Sequence, residues 1–257
     1  MGAQGSASML SLPDFFSPVV LESVGSTNDE ARIRAESGAP AGTIIWAKQQ
    51  VSGRGRRGRA WNSPEGNLYC SIILRPEVSP AVAAQLSFVT ALALGEGMHN
   101  LLPSSATLQY KWPNDVLIDG GKIAGILLES HVGENGNMEW VVIGTGVNVT
   151  SHPPDTERPA TSLDKVGCQL PVADVLTAYA QTLWTWIGRW NDFGFDPVRK
   201  AWLNRAIGLG ESIEVRLPNQ TLHGTFDALD TNGALVLLTP EGRQHISAGE
   251  VFVPNHG

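Results

Sequence analysis

Short apolar runs broken by turn residues account for most of this chain, and three stretches carry the spacing of a helix. Ser26-Thr27-Asn28-Asp29-Glu30 ahead of ARIRAESG reads as a helix start, with Ser or Thr capping, acids in the first turn and Gly38 as the stop. Residues 80–102 place Val82, Leu86, Val89 and Leu92 on one helical face behind Pro80. Residues 172–194 do the same with Val172, Leu176, Tyr179, Leu183 and Trp190, and the tryptophans there (Trp184, Trp186, Trp190, with Trp202) read as helix packing rather than a ligand box. Strands are predicted at 43–50, at 67–76 up to Pro76, at 108–119, from Lys122 onward, and at 138–149. Asp119-Gly120-Gly121 between two apolar runs is a hairpin signal. The run at 138–149 is apolar throughout, which predicts a central strand. Residues 53–61 and 152–163 read as loops.

The pattern changes at Gly208-Leu209-Gly210. Beyond it, short alternating runs with turn signals at Pro-Asn, Thr-Asn-Gly and Pro-Glu-Gly predict a small barrel of about five strands. The expected division is a flexible N-terminus over 1–15, a larger α+β domain over 16–207 and a small all-β domain over 208–257.

Composition narrows the class. At 257 residues with 42% apolar and 17% charged positions, the chain has material for a full core without staples. No apolar run of the roughly 20 residues that span a bilayer is read, and the N-terminus lacks the basic and apolar regions of a signal peptide. Two cysteines, Cys70 and Cys168, without CxxC or zinc spacing imply a reducing, cytoplasmic setting and no structural metal. A net charge of −7 argues against a general nucleic-acid binder while leaving room for a local basic patch.

Such a patch exists. Gly53 to Arg59 packs four arginines and three glycines into seven residues, followed by Ala60 and Trp61. Glycines let a backbone approach a ligand, and guanidinium forks suit phosphate or carboxylate oxygens. By itself the segment fits either a nucleotide-phosphate loop or an RGG-like, solvated loop. Three further segments stand out: Lys111-Trp112-Pro113-Asn114-Asp115, Gly121 to Glu129 with Lys122 opening an apolar strand, and Gly144-Thr145-Gly146-Val147-Asn148. Glycines inside a strand suggest that something packs against the backbone, a bulge being the alternative. Gly144 and Gly146 do not open a helix, so no dinucleotide fold is expected.

Taken in order, Ser26-Thr27-Asn28, GRGRRGRAW, KWPND, GKIAGILLE, GTGVNV and ATSL, with GALVLL and ISAGEV at the end, resemble the motif series of the biotin protein ligases. The resemblance implies a mixed sheet flanked by helices plus an SH3-like C-terminal barrel. It also implies an ATP-dependent ligase that forms biotinyl-5′-AMP and pyrophosphate, then acylates a lysine of a biotin carboxyl carrier protein with release of AMP. Biotin would be the substrate, ATP and Mg2+ co-substrates, with no permanent cofactor or metal. Ser26, Thr27, Asn28 and Gln50 are implied contacts to biotin, joined by Gly125. Arg54, Gly55 and Arg56 belong to the loop closing over biotin and the adenylate. Arg59 and Trp61 face the nucleotide, Trp61 packing on adenine, with Asn114 and Asn148 as its polar partners. Lys122 touches both the biotin carboxyl and the α-phosphate, and Asp115 completes a catalytic set with Lys122 and Arg56. The short stretch before Ser26 implies the form without a DNA-binding repressor domain, and no membrane partner; a homodimer through a sheet edge is permitted. The rival readings are a lipoate or octanoate ligase or transferase and, from another class, a nucleic-acid-binding module.

Overall fold

The structure is a computed structural model, and it describes residues 10–99, 101–154 and 156–253. A seven-stranded sheet is built from β1 (Ser17–Val24), β2 (Thr43–Gln50), β3 (Leu68–Leu74), β4 (Leu108–Lys111), β5 (Asp115–Ile118), β6 (Gly121–Val132) and β7 (Met138–Val147) in the order β1-β2-β3-β7-β6-β5-β4. Only the β1–β2 pairing is parallel, so the sheet is mixed. β7 is its middle strand, and it is buried along almost its whole length, as a run apolar on both faces requires.

α1 (Thr27–Glu36) joins β1 to β2, with Ser26 at the N-cap position but without a side-chain capping bond. α2 (Pro80–Ala83), α3 (Leu86–His99), α4 (Val172–Phe193) and α5 (Phe195–Leu203) complete the helices. A single apolar helix was expected over 80–102; the structure breaks it after Ala83. Pro80–His99 does meet the length and hydropathy of a membrane span, which the sequence reading did not credit, but 72% of it is buried inside the protein as a core element. α3 and α4 pack together beneath the sheet, and Trp186, Trp190 and Trp202 are core side chains. Trp184 is 44% exposed and stacks on Phe15 with centroids 4.6 Å apart.

β1 and α5 were not foreseen, and the strand expected over 108–119 is two strands folded at the cis Trp112–Pro113 bond. The hairpin is where the sequence put it: Asp119 (φ 50°) and Gly120 (φ 76°) form the two-residue loop between β5 and β6, the pairing of positive φ that such turns need. Of the N-terminus expected to be flexible, residues 1–9 lie outside the described residues. Leu10, Leu12 and Phe15 are instead packed against the core.

β8 (Ser212–Arg216), β9 (Thr221–Leu229), β10 (Leu235–Thr239), β11 (Gly242–Ile246) and β12 (Glu250–Phe252) form a five-stranded antiparallel sheet in the order β11-β10-β9-β8-β12. It shares one apolar core with the larger sheet. The Trp112 indole N–H donates to the Gly233 carbonyl at 3.1 Å, and the Gln85 amide donates to that of Thr231 at 3.3 Å.

Candidate active site

Every residue singled out from the motif series lines one cavity of about 460 Å3, which opens on one face of the large sheet: Ser26, Thr27, Asn28, Gln50, Arg54, Gly55, Arg56, Arg59, Trp61, Asn114, Asp115, Lys122, Gly125 and Asn148. The register explains the convergence. Gly144 faces Ser71 on β3 and Leu127 on β6, and two residues on, Gly146 faces Tyr69 and Gly125. Side chains two apart along a strand share a face, so these positions form a strip with a glycine floor. A Cβ on Gly144 would stand 2.0 Å from Asn28 Oδ1, and one on Gly146 would stand 2.5 Å from Trp61 Nε1. The floor admits a polar cluster at one end and an indole beside it.

The polar cluster is buried and interlocked. The Thr27 backbone N–H and hydroxyl both donate to Gln50 Oε1, at 2.8 and 3.1 Å. Gln50 Nε2 donates to Ser63 Oγ at 2.9 Å. The Ser71 hydroxyl donates to Asn28 Oδ1 at 2.6 Å and lies 2.8 Å from Thr27 Oγ1. Asn28 Nδ2 donates to Glu129 Oε2 at 2.9 Å. Oriented donors and acceptors around an apolar cavity suit a small polar ring. Ser71 escaped the sequence reading and Glu129 was given no role in it, because their parts depend on which strands pair.

Trp61 lies over Gly125 and Gly146, and its ring centroid is 5.3 Å from Lys122 Nζ. Its indole nitrogen is buried without a hydrogen-bond partner. Lys122 reaches this face through a bulge: Val116 faces Ala124 but Leu117 faces Lys122, so β6 carries one extra residue there. Without that residue Lys122 and Gly125, three apart, would point to opposite faces; with it they share one. Lys122 Nζ sits 2.6 Å from Asp115 Oδ1, an ion pair outside hydrogen-bond alignment. The Lys122 backbone is fixed as well, its N–H donating to Pro159 O at 2.8 Å and its carbonyl accepting from Thr161 N–H at 3.0 Å.

The remaining candidates divide. Arg56 donates from Nη1 to Asn114 Oδ1 at 3.2 Å, and Asn114 Nδ2 donates to Ile126 O at 2.8 Å, so Asn114 is engaged at both ends in holding Arg56. Burial, with Arg57 beside it, lowers the pKa of Arg56 from the ordinary arginine value. Asn148 Nδ2 donates to Thr161 O at 3.0 Å and to Lys122 O at 3.3 Å. Arg54 is paired with Asp29 and Glu129 and fastens the Gly/Arg loop to α1 and β6. Arg59 crosses to the small sheet and pairs with Glu250 at 2.6 Å. Arg158 and Glu250 also line the cavity; Glu250 lies in the ISAGEV segment of the motif series but was given no role there, and Arg158 falls in a stretch read only as a loop. Cys70 is buried, and burial pushes its thiol up to about 12, so it offers no thiolate for chemistry.

Comparisons with known proteins agree with this geometry. Residues 12–204 match the Biotin/lipoate A/B protein ligase family, and residues 208–253 match the Biotin protein ligase C terminal domain. A biotin--[acetyl-CoA-carboxylase] ligase of Paracoccus denitrificans is 41% identical over 91% of this chain and 99% of its own length. The bifunctional ligase/repressor BirA of Bacillus subtilis is 35% identical over 89% of this chain and 71% of its own. A biotin protein ligase from Aquifex aeolicus in complex with biotin and ATP superposes with a TM-score of 0.78 at 27% identity, covering 92% of this chain and 97% of that one. A family match over 12–204 and a relative 41% identical across 99% of its own length show that the chain belongs to the Biotin/lipoate A/B protein ligase family.

Proposed function

We propose that the chain joins biotin to a protein lysine in two ATP-dependent steps within this one cavity. The observation that carries the reading is the placement of Lys122. The β6 bulge turns it onto the glycine floor, between a buried polar cluster suited to a ureido ring and an indole suited to a nucleobase. Relatives with biotin and ATP, and with biotinyl-5-AMP, have been solved from Aquifex aeolicus and Leishmania major.

In the first step a biotin carboxylate oxygen attacks the α-phosphorus, the bond to the β-phosphate breaks, and its electron pair leaves with pyrophosphate. Two anions must meet, and Lys122 and Arg56 offset their repulsion and the charge growing on the phosphoryl oxygens. In the second step the amine of an acceptor lysine, on a biotin carboxyl carrier domain, attacks the acyl carbon, loses a proton, and AMP departs. Magnesium arriving with ATP would neutralise phosphate charge, and Asp115, the carboxylate beside Lys122, would be the residue to hold it. Thr27 and Gln50 orient the biotin ring, Trp61 packs on adenine, and Arg54 anchors the loop that keeps water from the mixed anhydride. Asn114 and Asn148 act by holding Arg56 and Lys122.

Pyrophosphate release from ATP is the test, with biotin in one arm and lipoate in the other. Release with biotin alone is the expected result. Release with lipoate alone would assign the chain to the lipoate branch, and release with neither would remove the adenylation reading.

A further inference from the structure

Cations crowd the place where the cavity meets the small sheet. The Phe252 ring centroid lies 3.7 Å from Arg158 Cζ and 3.6 Å from Arg216 Cζ. Two guanidinium groups that close must occupy opposite faces of the ring. Nζ of buried Lys111 is 5.8 Å from the same centroid and has no hydrogen-bond partner among the described residues. Arg59 comes in from the Gly/Arg loop.

These cations are not equally satisfied. Arg216 pairs with Glu157 at 3.0 Å and also with Glu214. Arg59 pairs with Glu250 at 2.6 Å. Among the described residues, Arg158 has its nearest carboxylate, Glu250, at 3.9 Å, beyond hydrogen-bond reach, and its Nη2 is buried without a partner. Burial holds its pKa below the ordinary arginine value, Glu250 opposing that effect and Arg59 and Arg216 adding to it. A half-buried guanidinium with an unpaired N–H beside like charges is unfavourable until an anion reaches it. Arg158 lines the same cavity as Lys122, Arg56 and Arg59. With the carboxylate and α-phosphate at Lys122 and Arg56, the anion left to be placed is the rest of the triphosphate.

We propose that Arg158, with Arg59 beside it, receives the two terminal phosphates of ATP and holds the pyrophosphate as it leaves. This rests on the ligase reading above. Arg158 then stabilises charge that grows on the bridging oxygen as the bond between the α- and β-phosphates breaks. A triphosphate competes with Glu250 for both arginines, so nucleotide binding exchanges an internal ion pair for a substrate contact. The acyl transfer that follows involves no pyrophosphate and does not need this contact.

The test uses the full chain and separates the two half-reactions. Biotin-dependent exchange of labelled pyrophosphate into ATP reads the first, and transfer from supplied biotinyl-adenylate to a carrier domain reads the second. Arg158→Met is expected to raise the KM for pyrophosphate about 100-fold while transfer from supplied adenylate stays within about twofold of wild type. Arg158→Lys, which keeps the charge and loses the fork, is expected to fall between, and it replaces the methionine variant should that one lose its fold. Arg243→Met removes a cation of the small sheet that pairs with Asp227 and does not line the cavity, and is expected to leave the pyrophosphate KM unchanged. A wild-type KM in Arg158→Met, or an equal loss in both half-reactions, would overturn the assignment alone. A wild-type chain that exchanges no pyrophosphate with biotin would overturn the ligase reading and this assignment with it.

Discussion

Gly144 and Gly146 lie on the same face of β7, yet the space above each is filled by a different partner, and this separates what substitution would do. A methyl at Gly144 would meet Asn28 Oδ1 at 2.0 Å and disturb the polar cluster; at Gly146 it would meet Trp61 Nε1 at 2.5 Å and lift the indole. Gly144→Ala is therefore expected to weaken biotin binding, and Gly146→Ala to raise the KM for ATP, each about 100-fold, since a displacement of roughly 1 Å in a positioning group costs that much. Calorimetric titration with biotin and steady-state kinetics in ATP would show the split; equal effects of both variants on both ligands would contradict it. Lys122→Ala removes the cation beside Asp115, so adenylate formation should drop by about 1,000-fold while far-ultraviolet dichroism shows the fold retained. Normal turnover in that variant would remove its role. Which residues gather was legible in the sequence, because glycines and arginines in short motifs mark the floor and the rim. Their individual duties were less so: Arg54 and Asn114 are committed to protein partners, Glu129 and Glu250 stood in the quoted motifs without a role, and Ser71 and Arg158 enter only through the fold.

Among elements, the ones the sequence missed are those whose pattern was weakest. β1 is an edge strand with no fully buried residue, so its apolar alternation is faint, and α5 is only nine residues with Pro197 in its first turn. The bulge in β6 has no sequence mark at all, since one extra residue in a strand changes facing without changing composition. α1 was predicted well at both ends, but what holds its C-terminus is remote. Arg75, just beyond β3, donates to Ala35 O at 2.7 Å, to Ala39 O at 3.0 and 3.1 Å and to Glu139 O at 3.2 Å. One guanidinium thus satisfies carbonyls of the last turn of α1, the loop after it and β7. Arg75→Ala should cost about 2–3 kcal/mol in urea unfolding, because the carbonyls it leaves are partly buried. A cost below about 0.5 kcal/mol would mean that water replaces it without penalty. Since α1 carries Thr27 and Asn28, the same variant should also loosen biotin binding.

In the whole molecule, the question is whether the small sheet is a movable lid or a fixed wall, and the junction answers it. Phe88 lies 5.4 Å from both Phe195 and Trp202, centroid to centroid, and this aromatic cluster sits directly under the β9–β10 turn. Gly233 in that turn has a φ of +86°, and a Cβ there would be 2.6 Å from Phe88 Cε2 and 3.4 Å from Phe195 Cζ. Its carbonyl accepts from Trp112, and Arg199 adds a bond to Leu229 O at 3.1 Å. Buried aromatics and directed hydrogen bonds on both sides of one seam make the two sheets a single cooperative unit. On the proposed function, a fixed junction predicts that closure over the adenylate falls to the Gly/Arg loop and not to the small sheet. Gly233→Ala combines a strained φ with a clash against a ring that cannot retreat, so it should lower stability by about 2–4 kcal/mol. If the sheets form one unit, the variant shifts the entire transition: far-ultraviolet dichroism and the fluorescence of the eight tryptophans, Trp112 and Trp202 at the seam among them, should still coincide at a lower midpoint. If the small sheet were an independent lid, fluorescence would change first and the dichroism would follow in a second step. That separation would return the closing motion to the C-terminal domain.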